Sequence, residues 1–188
     1  MTEQIILIAI GFAIAVLLMV ARRRLAEFHG QKPEDYIDAF PQLDLQERLR
    51  GKMVCEGVIF GPVGRVTSTF VAQFSVVWDD RTAIIDEEFR YNNGTRQTRQ
   101  WTVVMGREGH FTCTAPDVVG KGMGVQAGPT VQLCYRIRLP KDLGGHVLDT
   151  VDWMYLTPDG TIVNRSQFRK FGFKVAELVA TIRPKDTM

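Results

Sequence analysis

Cysteine is scarce in this sequence and forms no recognisable motif. The 188 residues include three cysteines, Cys55, Cys113 and Cys134, an odd number without the close paired spacing of zinc or redox motifs. We therefore expect buried thiols and no cysteine-held metal. A bridge between Cys113 and Cys134, on neighbouring predicted strands, stays an alternative if the domain lies outside the cytoplasm.

Clusters of positive charge are almost absent. The chain has 23 basic and 21 acidic residues, for a net charge of +2, and its one basic tract is the arginine triplet at residues 22–24. A nucleic-acid surface needs basic side chains gathered on one face. We therefore expect no nucleic-acid partner.

Catalytic and metal-binding motifs are also missing. Ser68 and Ser166 have no nearby histidine, and the three histidines, His29, His110 and His146, have no cysteine or aspartate at ligand spacing. A serine nucleophile needs an adjacent base, and a zinc ion needs several ligands. The sequence therefore predicts no catalytic residue by motif, no metal and no cofactor.

Long apolar segments are confined to the N-terminus. An unbroken run of 17 apolar residues begins at Ile5 and ends at Ala21, and about 17 to 25 such residues can cross a bilayer as a helix. A signal peptide would carry positive charge before the run, whereas here Glu3 precedes it and the arginine triplet follows. We predict a retained, single-pass anchor over residues 1–24 in a bacterial inner membrane. Positive charges stay on the cytoplasmic side, so the domain that follows is expected in the cytoplasm.

The remaining chain is predicted to form a polar stalk over residues 25–42 and one domain over residues 43–188. Asp44 is placed to cap a short helix over residues 45–50 that could plug one barrel end. From Met53 onward, apolar and polar residues alternate between frequent turn signals, as in half-buried strands. Eight to ten such antiparallel strands hide their edges by closing. The pattern predicts an all-β, up-and-down barrel of the calycin or lipocalin type.

Polar side chains interrupt the apolar faces of four predicted strands. They are Glu56, Arg99, Asp152 and Asn164. Burying an unpaired charge costs several kcal/mol, so we expect an internal ionic network in which Arg99 receives a carboxylate or phosphate head group. The alternative is that these residues lie at barrel mouths or beside a bulge that shifts the register.

Aromatic residues are numerous enough to line a lumen or to fill a solid core. Eleven of them are candidates for the interior: Phe60, Phe70, Phe74, Trp78, Phe89, Trp101, Phe111, Tyr135, Trp153, Phe168 and Phe171. Ligand pockets are lined in this way, and so are packed cores. The sequence leaves both possibilities open.

Six short motifs stand out by their order and spacing. They are Ile85-Asp86-Glu87-Glu88-Phe89, Arg99-Gln100-Trp101, Asp117-Val118-Val119-Gly120, Asp152-Trp153-Met154-Tyr155-Leu156, Asn164-Arg165 and Lys170-Phe171-Gly172-Phe173. Over residues 43–183 they resemble DUF3833, a proteobacterial family of unknown function. The resemblance implies a lipoprotein-type, lipocalin-like barrel that works outside the cytoplasm, which conflicts with the arginine triplet, and it suggests an acyl ligand. No cysteine directly follows the apolar run, and Cys55 is too far along, so we expect a transmembrane helix in place of lipid attachment.

The resemblance also marks ten candidate binding residues. They are Glu87, Arg99, Trp101, Asp117, Asp152, Trp153, Asn164, Arg165, Lys170 and Phe171. Strand alternation independently selects Arg99, Asp152 and Asn164. Trp153 and Phe171 are favoured as core anchors over ligand contacts.

Three functions stay open at this point. The first is a membrane-tethered barrel that binds or presents a hydrophobic small molecule or lipid, linked to fatty-acid or membrane-lipid modification, with Arg99 or Arg165 at the head-group end. The second is an enzyme acting on modified acyl chains, with Asp152 as acid or base. The third is a non-catalytic scaffold for lipid-modifying enzymes, in which the lumen is filled.

Overall fold

The computed structural model describes residues 2–25 and 28–185, without the side chains of Arg23 and Arg24. Ala26 and Glu27 of the predicted stalk, and the last three residues of the predicted barrel domain, lie outside the described residues. The chain divides into two compact units, Met1–Asp35 and Tyr36–Met188.

The first unit contains helix α1, Thr2–Leu25. Its segment Thr2–Arg22 is long and apolar enough to cross a membrane, by a test of length and composition that a signal sequence also passes. An apolar N-terminal helix is thus present, as the sequence predicts.

The second unit is a closed antiparallel barrel of ten strands. The strands are β1 Gly51–Phe60, β2 Val66–Asp79, β3 Thr82–Tyr91, β4 Arg96–Met105, β5 His110–Thr114, β6 Gly122–Ala127, β7 Thr130–Arg138, β8 Val147–Leu156, β9 Ile162–Lys170 and β10 Phe173–Pro184. Each strand pairs with its neighbours in sequence, and β1 pairs with β10 to close the barrel. The predicted all-β, up-and-down barrel is confirmed.

The alternation of residues along the strands decides which side chains face the interior. In β2 the buried residues are Phe70, Ala72, Phe74 and Val76, which are every second residue. Because successive side chains in a strand point to opposite faces, the residues between them face outward. The core of the unit is therefore the inside of the barrel.

One end of the barrel is closed by helix α2, Leu45–Arg48. Asp44 caps it, since its carboxylate accepts hydrogen bonds from the backbone N–H groups of Gln46 and Glu47. Leu45 and Leu49 are buried in the core. Trp78 near the end of β2 donates its indole N–H to the Leu49 carbonyl at 2.8 Å. Both the cap and the plug agree with the sequence prediction.

Strand β1 faces the other way from the prediction. Met53 and Cys55 are buried, whereas Glu56 is exposed and pairs with Arg183 through Oε2 and Nη2 at 3.0 Å. Both faces of this strand carry apolar residues, so alternation alone does not identify the inner one. The prediction that Glu56 belongs to an internal network is wrong.

Glycines in β6 allow close packing inside the barrel. A Cβ added to Gly122 would approach the Cys113 sulfur, and one added to Gly124 would overlap the Phe111 ring. Both glycines therefore shape the barrel wall, as expected for glycine within a strand.

Cys113 lies inside, whereas Cys134 is exposed on the outer face of β7, and all three cysteines are free. The alternative of a Cys113–Cys134 bridge is not realised.

Candidate functional site

The barrel encloses a cavity of about 160 Å³. Eight of the eleven expected aromatic residues line it: Phe70, Phe74, Trp78, Phe89, Trp101, Phe111, Tyr135 and Phe168. The lining also contains five polar side chains that break this apolar surface: Glu87, Arg99, Asp152, Asn164 and Ser166. The interior is therefore not completely filled, and its polar groups are the candidate site.

Glu87 and Arg99 reach the interior from adjacent strands. Glu87 in β3 lies directly opposite Arg99 in β4 in the strand register. Its neighbours Asp86 and Glu88 are exposed, because they have the opposite parity. The acidic run thus divides as strand geometry requires, with one carboxylate inside the barrel and two in solvent.

Arg99 is held on three sides. Its Nε lies 3.0 Å from Oδ1 of Asp117 as an ion pair, although the contact lacks the direction of a good hydrogen bond. Its guanidinium carbon lies 4.0 Å from the centre of the Trp101 ring and 5.8 Å from that of Tyr135. A cation over an aromatic face is attracted by the ring quadrupole. The arginine is therefore fixed by one charge and two rings.

Asp152 in β8 is the second interior acid. It lies opposite Leu133 on one side and Ser166 on the other. Burial raises the pKa of Asp152 to about 6, even though the polar side chains of Ser166 and Tyr135 and the charge of Arg99 act to lower it. Its Oδ1 has no hydrogen-bond partner among the described residues. Asp152 is thus a buried carboxylate with spare acceptor capacity.

Burial also raises the pKa of Glu87. The pKa of Glu87 rises to about 7 because the carboxylate is desolvated, while Arg99 and a hydrogen bond from Trp101 act in the opposite direction. The Asp117 and Asp152 charges add to the rise. Two carboxyl groups that titrate close to neutral pH therefore lie in one cavity.

Asn164 and Ser166 complete the polar group from β9. The Asn164 amide donates to the Trp153 carbonyl at 3.1 Å. The Ser166 hydroxyl lies 3.2 Å from the Asn164 side-chain oxygen, to which it donates. Asn164 is therefore held by its neighbours, and Ser166 lies opposite Asp152 in the strand register.

Trp153 is buried, but outside the barrel lumen. It follows Asp152 in β8 and therefore has the opposite orientation. Its ring contacts Tyr36 edge-on, at a centroid distance of 5.6 Å, and stacks against Tyr155 at 6.0 Å. Trp153 is thus a packing anchor for the segment that precedes the barrel, as the sequence favoured, and it does not line the cavity.

Arg165 does not lie at a head-group end of the interior, contrary to expectation. It alternates with Asn164 and Ser166 and so faces outward, where its Nη2 lies 2.6 Å from Oε1 of Glu177. Lys174 pairs with the other oxygen of Glu177 at 2.6 Å. Burial raises the pKa of Glu177, but the hydrogen bonds that it accepts give a net downward shift. This outer cluster ties β9 to β10.

Lys170 and Phe171 lie at the hairpin between β9 and β10. Phe171 is 87% exposed, so the expectation that it anchors the core is wrong. Its φ is +51°, and that of Gly172 is +78°. The Lys170 ammonium lies 5.4 Å from the Phe171 ring centre. Neither side chain lines the cavity.

Two residues of the site were not among the ten candidate binding residues, although Tyr135 was among the aromatic residues expected in the interior. Tyr135 and Ser166 line the cavity and act on Asp152. Both share strand parity with recognised interior residues: Tyr135 with Val131 and Leu133, and Ser166 with Asn164. A polar hydroxyl at an inward-facing strand position is the sequence feature that could have identified both residues. No group of metal-binding side chains occurs within residues 2–25 and 28–185.

Comparisons with known proteins agree with this architecture. A family model described as "Protein of unknown function (DUF3833)" matches residues 23–184. No curated protein matches the sequence. Among solved structures, the S-type phycobiliprotein lyase CPES from Guillardia theta has a TM-score of 0.53 at 7% identity, covering 76% of this chain and 91% of that one. Rv2717c from M. tuberculosis has a TM-score of 0.53 at 14% identity, covering 76% and 97%. At these identities the similarity shows the lipocalin-like barrel fold alone.

Proposed function

We propose that this chain, which belongs to the DUF3833 family over residues 23–184, binds one small, largely apolar molecule inside its barrel. The observation that carries the proposal is the cavity itself, whose wall is mostly apolar, includes eight aromatic side chains and is polar at a few positions. Binding sites for small molecules have this composition. An interior built only for stability would be filled, because cavities destabilise a core.

The volume of the cavity limits the ligand. An engineered cavity of about 150 Å³ in another protein holds a benzene molecule, and the cavity here is about 160 Å³. Drug-sized ligands occupy about 300–1,000 Å³. The proposed ligand is therefore a ring or a short acyl segment, and a complete long-chain lipid would require the walls to move.

Native mass spectrometry of the full chain, released from mild detergent, tests this proposal. We expect a small molecule bound at one per chain, or one that binds when short-chain and aromatic probes are added. A chain that carries nothing from its host and is not stabilised by any such probe would contradict ligand binding. It would also favour the scaffold hypothesis.

We also propose that the apolar helix holds the barrel at a membrane. Its length and composition support a span, and the arginine triplet that follows favours a cytoplasmic barrel. Cys134 offers a test, since it is exposed on the barrel while Cys55 and Cys113 are buried. A membrane-impermeant maleimide should label Cys134 only after cells are lysed. Labelling in intact spheroplasts would instead indicate a periplasmic barrel.

An enzymatic role is the second candidate, favoured by the two interior acids. Asp152 and Glu87 have pKa values of about 6 and about 7, which suit general acid and base catalysis near neutral pH. One barrel of the same fold is known as a phycobiliprotein lyase, which is compatible with chemistry inside such a lumen. If Asp152 takes part in catalysis, the Asp152→Asn variant should retain the unreacted substrate. The molecule bound to the variant should then differ from the one bound to the parent protein. Identical bound molecules in both proteins would contradict it.

A further inference from the structure

The interior arginine is already neutralised. Arg99 has Asp117 at 3.0 Å, and its guanidinium lies over the Trp101 ring. A carboxylate or phosphate on a ligand would therefore have to displace Asp117 or share the arginine with it. The carboxylate of Asp117 therefore competes with the anionic head group that the sequence analysis expected at Arg99.

The remaining charge of the interior is negative. The described residues around Arg99 include three carboxyl groups, Glu87, Asp117 and Asp152, all close enough to interact electrostatically with its guanidinium. After the ion pair with Asp117 is formed, Glu87 and Asp152 have no second cation beside them in the cavity lining. Like charges in a low-dielectric interior repel strongly. An anionic ligand would thus add a further negative charge to a site that already has an excess.

Two buried polar atoms at the cavity have no partner in the described part of the chain. They are Oδ1 of Asp152, an acceptor, and Nη2 of Arg99, a donor. Buried polar groups are nearly always hydrogen-bonded, so each unpaired one calls for a partner. A hydroxyl group both donates and accepts. A hydroxyl group can therefore form a hydrogen bond with either atom without adding a charge to the site.

We propose that the ligand's polar end is an uncharged hydroxyl, which donates to Asp152, and that the cavity discriminates against the corresponding carboxylate. This inference rests on the proposed ligand binding and names the chemical class of the ligand. The apolar remainder of the molecule packs against the aromatic wall formed by Phe70, Phe89 and Trp101. The ligand is thus a small alcohol of about one ring in size.

Three matched probes test the head group separately from the cavity. Toluene, benzyl alcohol and benzoate share one ring and differ only in the group attached to it. Met154 lines the cavity, so its labelled methyl resonance, assigned with Met154→Leu, reports occupancy in the full chain in detergent. At pH 8, where both interior acids are largely ionised, we expect benzyl alcohol to bind at least about tenfold more tightly than benzoate.

Variants then identify the group that recognises the hydroxyl. Asp152→Asn should reduce the preference of the protein for benzyl alcohol over toluene by about tenfold, because a hydrogen bond to a charged group is lost. Asp149→Asn is the matched control, since Asp149 lies on the same strand but is exposed. It should leave the preference unchanged.

The outcomes separate the two proposals. Benzoate binding as tightly as benzyl alcohol, or toluene binding as tightly as either, would overturn the inference about the hydroxyl while leaving the ligand-binding function in place. An equal loss of preference in Asp149→Asn would also overturn it. If none of the three probes shifts the Met154 resonance, ligand binding itself fails, and the inference fails with it.

Discussion

Oδ1 of Asp117 lies 3.0 Å from Nε of Arg99. Asp117 belongs to the connection between β5 and β6, and its carbonyl accepts a hydrogen bond from the Arg138 backbone N–H at 2.7 Å. Arg99 belongs to β4. A side chain from a connection thus supplies the counter-charge for a strand residue, and this contact sets the electrostatics of the cavity.

Replacing Asp117 by asparagine should destabilise the barrel by about 2 kcal/mol, because Arg99 loses the carboxylate with which it forms its ion pair. The partial exposure of Asp117, 25% of its side chain, keeps the effect below the 3–5 kcal/mol of a fully buried pair. Urea denaturation followed by tryptophan fluorescence measures the loss. Asp142→Asn, at an exposed position of another connection, is the control and should change stability by less than about 0.5 kcal/mol. Equal effects of both variants would contradict the ion-pair argument.

Stability should fall as the pH rises from about 4.5 to about 7. In this interval the folded chain keeps a proton on Glu87, whose pKa is raised from 4.5 to about 7, while the unfolded chain releases it. The native state then binds more protons, so the free energy of unfolding decreases with pH. The contribution is about 3 to 4 kcal/mol, since each unit of pKa corresponds to about 1.4 kcal/mol. Asp152 acts in the same direction between about 4 and 6.

Glu87→Gln isolates the part that belongs to Glu87. In this variant the free energy of unfolding should depend much less on pH between 4.5 and 7. The variant should also be more stable than the parent at pH 8. Glu88→Gln, the exposed neighbour in the same strand, should keep the parental slope. A parental slope in both variants would falsify the assignment to Glu87.

Phe171→Asn should stabilise the hairpin between β9 and β10 by about 0.5–1 kcal/mol. A side chain at positive φ costs energy that asparagine tolerates better than phenylalanine, and two-residue hairpins with two positive φ angles prefer Asn-Gly. Phe171 is almost fully exposed, so little packing is lost. Thermal unfolding compares it with Phe173→Asn, which removes another exposed phenylalanine in a strand. A gain in the Phe173 variant and none at Phe171 would rule out backbone strain as the cause.

A single thiol of the folded chain should react with a soluble disulfide reagent. Cys134 is exposed, whereas Cys55 and Cys113 are buried and burial raises the pKa of each thiol to about 12. The thiolate is the reactive form, so the two inner thiols are both inaccessible and protonated. We expect one equivalent in native conditions, three in denaturant, and none for native Cys134→Ser. Rapid reaction of all three without denaturant would show that the barrel opens readily.

Much of the architecture follows from local patterns. The turn residues and the two-residue period were sufficient to predict an antiparallel barrel, because each strand pairs with its sequence neighbours and short connections leave few other arrangements. The inward orientation of Arg99, Asp152 and Asn164 followed from the same alternation. Alternation does not place Glu56 correctly, because β1 is apolar on both faces and its inner face is decided by pairing with β2 and β10.

The outer residues show a different limit. Phe171 and Arg165 belong to distinctive motifs, yet one is exposed at a hairpin and the other is paired with Glu177 on the outer wall. A motif identifies residues that occur together, but it does not show whether their side chains face the interior or the solvent. Strand alternation places Arg165, between the inward residues Asn164 and Ser166, on the outer face.

The sequence by itself determined the apolar helix, the strand count within two, the capped helix at one barrel end and the inward face of most strands. These depend on spacing along the chain, which sets local geometry and the face each side chain occupies. Only the tertiary structure decided that the interior retains a cavity, that Asp117 neutralises Arg99, and that Glu87 and Asp152 share one low-dielectric space. Those properties depend on distances between residues far apart in sequence, and volume, burial and charge pairing arise only when the strands close around a common interior.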